Sequence, residues 1–294
     1  MVVLNSAYAN KKYNSTQNSN LEFSFIGLLK QDDDIVRTEI SILNAQIPIS
    51  FYIINSYNNK LFFTYGGVSK SITITYGNYN ANDFIIQLTN QFSVAGCAIS
   101  STINRNTGVL TFTAPLSIQF LYANSTVASI IGLGTSNSTL GTSVIMPYPL
   151  NLLGVKKLSI RSNSLSVNAY TSKTLSFTDT ICTIPCDQPY FNMISYENNN
   201  DLNKNILRAP YVDGIDIQIT DESDNLIDFN GQDWTVTLVI SNTRVDREKD
   251  KRQFTDLLAH LKLNNNLENK NIIENSTEQK PISEDKKILE FLQK

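Results

Sequence analysis

Two stretches, Ile215-Asp-Ile-Gln-Ile219 and Asn230-Gly-Gln-Asp-Trp-Thr-Val-Thr-Leu-Val-Ile240, decide the fold of this 294-residue chain. In the first, Ile215, Ile217 and Ile219 alternate with Asp216 and Gln218. In the second, Trp234, Val236, Leu238 and Ile240 share one face. A period of two is the signature of a half-buried β-strand. Asn230-Gly231 is a pair suited to a tight turn, because both residues tolerate positive φ. The same alternation recurs upstream. Leu21, Phe23 and Phe25 form one row, Val36, Thr38, Ile40 and Ile42 another, with Asp32, Asp33 and Asp34 as the turn between them. Leu158 and Ile160, then Leu165 and Val167, continue the series. Adding the stretches at 48–54, 143–147 and 190–196 gives about eight strands, enough for two sheets packed face to face.

Composition agrees with an all-β body. Charged residues are 17% of the chain and hydrophobic residues 41%, and the low charge is made up by Ser, Thr and 35 Asn. Ile, Thr, Val, Tyr and Phe suit pleated surfaces better than helices. With 24 Lys plus Arg against 27 Asp plus Glu, the net charge is −3. That balance gives no basic field for nucleic acid.

The rare residues exclude whole classes of chemistry. A single histidine, His260, rules out paired-histidine metal sites and HExxH proteases, and a Ser-His-Asp triad would have to use it. Cys97, Cys182 and Cys186 cannot all pair, and the CxxxC spacing fits neither a zinc ribbon nor a thioredoxin motif, so reduced, inert thiols are expected. Neither a phosphate-binding GxxxxGK[ST] loop nor GxGxxG occurs. No apolar run reaches the length of a membrane span, and the N-terminus has no signal-peptide core. The expectation is a soluble protein that is not an enzyme and needs no cofactor or metal. Asp221-Glu222-Ser223-Asp224, with Asp228 and Asn230, offers oxygen ligands for Ca²⁺ but reads more simply as a solvated hairpin turn. Lys249, Lys251 and Arg252 are interleaved with acids, as on a salt-bridged helix face. Four Asn-x-Ser/Thr sequons, at Asn14, Asn124, Asn137 and Asn275, are expected by chance in such a composition.

The chain divides into a discontinuous sandwich at 1–55 and 143–244, an inserted α+β unit at 56–142, and a helical tail at 245–294. The insert has a strand at 71–76 and a helix capped by Asn82 or Asn80, with Phe84, Ile85, Leu88 and Phe92 on one face. A hairpin at 99–113, a strand at 118–121 and a short apolar helix at 127–131 follow. In the tail, 20 of 50 residues are charged. Phe254, Leu257, Leu258 and Leu261 have helical spacing over 246–262, the stretch 263–282 reads as a linker, and Ser283 opens a last short helix.

Several segments together resemble virophage penton proteins. They are Met1-Val-Val-Leu-Asn-Ser-Ala-Tyr-Ala-Asn10, Ala45-Gln-Ile-Pro-Ile-Ser-Phe-Tyr-Ile-Ile-Asn55, Tyr76-Gly-Asn-Tyr79, Ile130-Ile-Gly132, Pro147-Tyr-Pro-Leu-Asn-Leu-Leu-Gly154 and Asp228-Phe-Asn-Gly-Gln-Asp-Trp234. The resemblance spans about residues 1–241, and the tail matches none of it. It implies a single jelly roll that forms homopentamers at the five-fold vertices of an icosahedral virion, beside major capsid protein hexons. It also implies assembly in the host cytoplasm. Asn, Ser and Thr surfaces would suit neutral contacts around a five-fold axis. The rival class is a lectin-like β-sandwich. Tyr57, Tyr65, Tyr76 and Tyr79 are candidate glycan or receptor contacts in the insert. Ile288, Leu289, Phe291 and Leu292 are candidates for a tether to an adjacent capsid protein.

Overall fold

The structure is a computed structural model that describes residues 1–14, 16–30, 35–165, 169–171, 176–199, 204–207, 211–244 and 255–258. Met1–Thr243 form one compact unit and Arg244–Lys294 a second. The first unit opens with β1 (Val2–Asn5), β2 (Lys11–Lys12), β3 (Asn20–Lys30) and β4 (Ile35–Pro48). Then come β5 (Lys60–Tyr65), β6 (Val68–Thr73), α1 (Ala81–Val94), β7 (Ser100–Ile103), β8 (Val109–Leu121) and β9 (Gly141–Pro149). It continues with β10 (Lys157–Arg161), β11 (Ala169–Thr171), β12 (Ser176–Thr178) and β13 (Thr180–Pro185). Last are β14 (Met193–Glu197), β15 (Asn205–Leu207), β16 (Tyr211–Thr220) and β17 (Thr235–Arg244).

One sheet runs β1-β17-β4-β14, with β15 also on β4, and the other runs β13-β10-β16-β3-β2. β14 and β15 both pair with β4, at 44–48 and 38–40, so they act as one interrupted strand. Numbering the sandwich strands along the chain, with β14 and β15 counted as one and β2 left out, gives orders 1-8-3-6 and 5-4-7-2, and β1–β17, β10–β13, β10–β16, β14–β4, β15–β4 and β16–β3 pair antiparallel. This is the double Greek key of a jelly roll. The expected alternation makes its core: Leu21 and Phe23, Leu158 and Ile160, Ile215, Ile217 and Ile219 from one sheet meet Ile40, Ile42, Ile47, Val236 and Leu238 from the other. On β4 the buried set changes parity, from Thr38, Ile40 and Ile42 to Ala45 and Ile47. A fourteen-residue strand that serves both halves of the interrupted partner must slip one residue to keep apolar groups inward.

The second core lies between β4 and β10 in the chain. Its sheet runs β6-β5-β8-β7, with β9 also on β8. α1 buries Phe84, Leu88 and Phe92 against it. Of the two possible caps, Asn80 is used: its Oδ1 accepts the Asp83 N–H at 3.0 Å. Phe63, Phe92, Phe112 and Phe120 pack ring against ring, with centroids 4.6–6.3 Å apart.

Several local expectations change. The stretch 143–147, assigned above to the sandwich, lies within β9 and pairs with β8, and its Val144 and Met146 enter the second core. β4 ends at Pro48, and residues 49–54 form a crossing that bends at Phe51 and Ile53 rather than a strand. There the Ile53 N–H is taken by the Asn78 side chain at 2.8 Å instead of a ladder partner. Residues 127–131 form hydrogen-bonded turns, not a helix, stopped at Gly132. A Cβ on Gly132 would sit 2.0 Å from the Tyr148 carbonyl oxygen, so only glycine permits this backbone contact. The strands expected at 109–113 and 118–121 are one, β8, bent around Pro115, where the register on β9 shifts. In the second unit residues 255–258 are helical, and Leu257 and Leu258 are exposed. The acidic turn at Asp32, Val167, Phe254, Leu261 and the tail residues Ile288, Leu289, Phe291 and Leu292 lie outside the described residues.

Candidate functional site

The chain crosses twice between the two cores, at 49–54 and at 150–156. Ile49 and Phe51 belong to the jelly-roll core, while Ile53 and Ile54 belong to the second. Tyr190 packs against both. Gly154, at φ +65°, lies under it: a Cβ there would meet the Tyr190 hydroxyl at 2.5 Å and Ile53 at 3.3 Å. The two crossings therefore touch, and beside them opens a cleft of about 320 Å³.

Four segments wall this cleft: the loop after Ile54, the turns at 126–130, the return crossing at 151–155, and the 221–225 turn between β16 and β17. Three of them are held by side-chain amides or carboxylates that satisfy turn backbone, and in the fourth the Thr126 hydroxyl accepts the Lys60 N–H. Asn55 Oδ1 accepts the Tyr57 N–H at 3.0 Å, and Asn58 Oδ1 accepts the Asn55 N–H at 2.8 Å. Asn151 Oδ1 accepts the Leu153 N–H. Asp221 Oδ1 accepts the N–H groups of Ser223 and Asn225, and its Oδ2 takes the Asn225 side-chain amide. Glu222 Oε1 reaches across to accept the backbone N–H groups of Lys156 and Lys157 at 2.6 and 3.1 Å, clamping the start of β10. These bonds are the Asx-turn chemistry that makes Asn frequent in loops. The acidic turn is therefore occupied with its own scaffold. No cluster of three or more metal-ligating side chains occurs among the described residues.

One thiol, Cys186, lies beside this region, and Cys182 stands on β13 opposite Ile160. Burial, with the Glu222 and Asp187 carboxylates adding to it, pushes Cys186 up to about 12. Burial also raises Cys182. All three cysteines are free.

The structure distributes the four tyrosines. Tyr57 stands at the cleft, 43% exposed. Tyr76 is 51% exposed just before α1. Tyr79 is half-buried, donates its hydroxyl to the Thr75 carbonyl at 2.8 Å, and packs edge-on to Phe84; burial raises its pKa. Tyr65 sits at the far end of β5, where its hydroxyl accepts the Ala98 N–H, so it is not part of the cleft. Of the cleft wall, the sequence singles out Tyr57 as a glycan contact and Asp221, Glu222 and Ser223 as oxygen donors in a solvated turn. Thr126, Ser129 and Asn151 are ordinary loop residues brought together by the two crossings. Among the described residues no helix is long and apolar enough to cross a membrane.

Comparison with known proteins gives one family and several similar structures. No curated protein sequence matches. The crystal structure of the mavirus penton protein aligns at a TM-score of 0.45 and 10% identity, over 82% of this chain and 99% of that one. A chain of the Sputnik virophage, solved by cryo-EM, aligns at 0.39 and 13% identity, over 81% of this chain and 97% of that one. A family model matches residues 36–254, from β4 through the second core to beyond β17, and the chain belongs to that family of unknown function, DUF5901.

Proposed function

We propose that the protein is a structural penton subunit of an icosahedral virion. Five copies would close around each vertex and abut the major capsid protein hexons. The observation that carries this reading is the eight-strand jelly-roll order of the two sheets. That architecture serves viral capsids, lectins and cupins. A cupin-type metal centre has no support with one histidine in the chain. The ordered motifs that resemble virophage penton proteins, from Met1 to Trp234, favour the vertex over a free lectin. The body between β4 and β10 is carried outward in this reading, where it is used for host attachment. The tail acts as the tether through Ile288, Leu289, Phe291 and Leu292. Gold-labelled antibody against the chain should decorate particles only at their vertices. Label spread over the facets, or none on intact particles, contradicts the proposal. Ending the chain at Leu263 should leave pentamers intact while particles lose pentons under mild heating; equal retention would remove the tether.

A further inference from the structure

We infer that the cleft beside the two crossings is a binding site for an uncharged saccharide. The inference rests on the attachment role proposed above and gives that role a place and a ligand class. At about 320 Å³ the cleft is at the small end of ligand pockets. Unlike most pockets, it is walled mainly by polar groups. Several of these have no hydrogen-bond partner among the described residues: the hydroxyls of Tyr57, Ser129 and Ser223, the side-chain nitrogen of Asn151, and Oε2 of Glu222. An apolar ligand would leave these groups desolvated and unpaired, which is costly. No Lys or Arg lines the cleft, and the carboxylates of Asp221 and Glu222 do, so an anion would be repelled. A metal ion would find Asp221 fully engaged and Glu222 with one oxygen to offer. What fits is a neutral molecule with donors and acceptors on several sides, lying against Tyr57. That is a sugar. Two rigid supports keep the site formed without ligand: the Glu222 clamp on Lys156 and Lys157, and Gly154 beneath Tyr190.

The full-length protein should be applied to a printed array of neutral and sialylated glycans. It should also be titrated in solution with free lactose and free diacetylchitobiose, followed by saturation-transfer NMR. Immobilised glycans and free sugars then separate a cell-surface ligand from a soluble one. Binding is expected to neutral glycans, weakened about tenfold by Tyr57→Ala through loss of ring contact. Tyr57→Phe should keep most of it, and Tyr76→Ala, outside the cleft, should keep all of it. No binding to array or free sugars, preference for sialylated glycans, or binding unchanged in Tyr57→Ala overturns the inference. Mass by light scattering on the same preparation separates the two readings. A pentamer without sugar binding leaves the vertex role standing, whereas a monomer that binds through Tyr57 sinks the vertex role and keeps the cleft.

Discussion

Trp234 shows how one side chain ties the two sheets and a loop together. It is 1% exposed, meets Phe23 edge-on at 6.3 Å, and donates its indole N–H to the Asn18 carbonyl at 2.6 Å. Its backbone N–H goes to Ser6 Oγ, which in turn donates to Asp233 at 2.6 Å. Trp234→Ala should therefore lose about 3–5 kcal/mol, read as a lower urea midpoint at unchanged slope. An unaltered midpoint would show that this packing is not what joins the sheets. Thiol chemistry belongs to the same scale. Because burial and neighbouring carboxylates hold Cys186 near 12, and burial raises Cys182, both stay protonated at neutral pH, and thiolate is the reactive form. Ellman's reagent at pH 7.5 should label neither quickly in the folded protein and both after denaturation; rapid labelling of the native protein would contradict the structure. The place of Trp234 was legible, since it heads an alternating row. The use of asparagine was not: Asn55 and Asn58 close turns, Asn78 takes the Ile53 N–H at the crossing and Asn80 caps α1. Composition counts amides but does not say which backbone groups they satisfy.

Strand faces were readable because alternation is local, but strand partners were not. Val144 and Met146 would fill either core equally well, and the pairing of β9 with β8 alone settles their place. The parity change on β4 was hidden for a related reason, since it depends on the two separate partners, β14 and β15. One element junction makes a pH prediction. Asp216 on β16 accepts Ser162 Oγ at 3.0 Å and the N–H groups of Asn163 and Ser164 at 3.0 and 2.7 Å. Burial acts to raise its carboxyl, yet these hydrogen bonds outweigh it and hold the pKa below the usual carboxylate value. A lowered folded pKa means that the unfolded chain binds the proton first. The stabilisation is then complete above the ordinary carboxylate pKa of about 4 and drains away as pH falls through the folded value. Asp216→Asn should be less stable at pH 7 and should narrow the gap to the parent below pH 3. A gap that stays constant from pH 7 to pH 2 would assign the loss to packing alone.

At the scale of the whole molecule, the two cores raise the question of whether the body between β4 and β10 is modular. Gly154 and Ile53 touch at the crossings, so the chain can be rejoined there. Replacing 54–153 with a short Gly/Ser linker should leave a soluble, β-rich jelly roll. Deleting only 58–140 strands Val144 and Met146 without β8 and should aggregate. If both deletions aggregate, the two cores fold as one and the body is not a module. A two-sheet β body was legible from the alternating rows, and the jelly roll only from the resemblance, while the cleft was not, because its walls come from segments as far apart as Asn55 and Ser223. The vertex role depends on one property of the assembled protein, its copy number. Multi-angle light scattering of the purified full chain measures it directly. Five copies of the 32.9 kDa chain predict a species of about 165 kDa with five-fold symmetry in averaged images. A stable monomer across the micromolar range, or a dimer or trimer, would contradict the account.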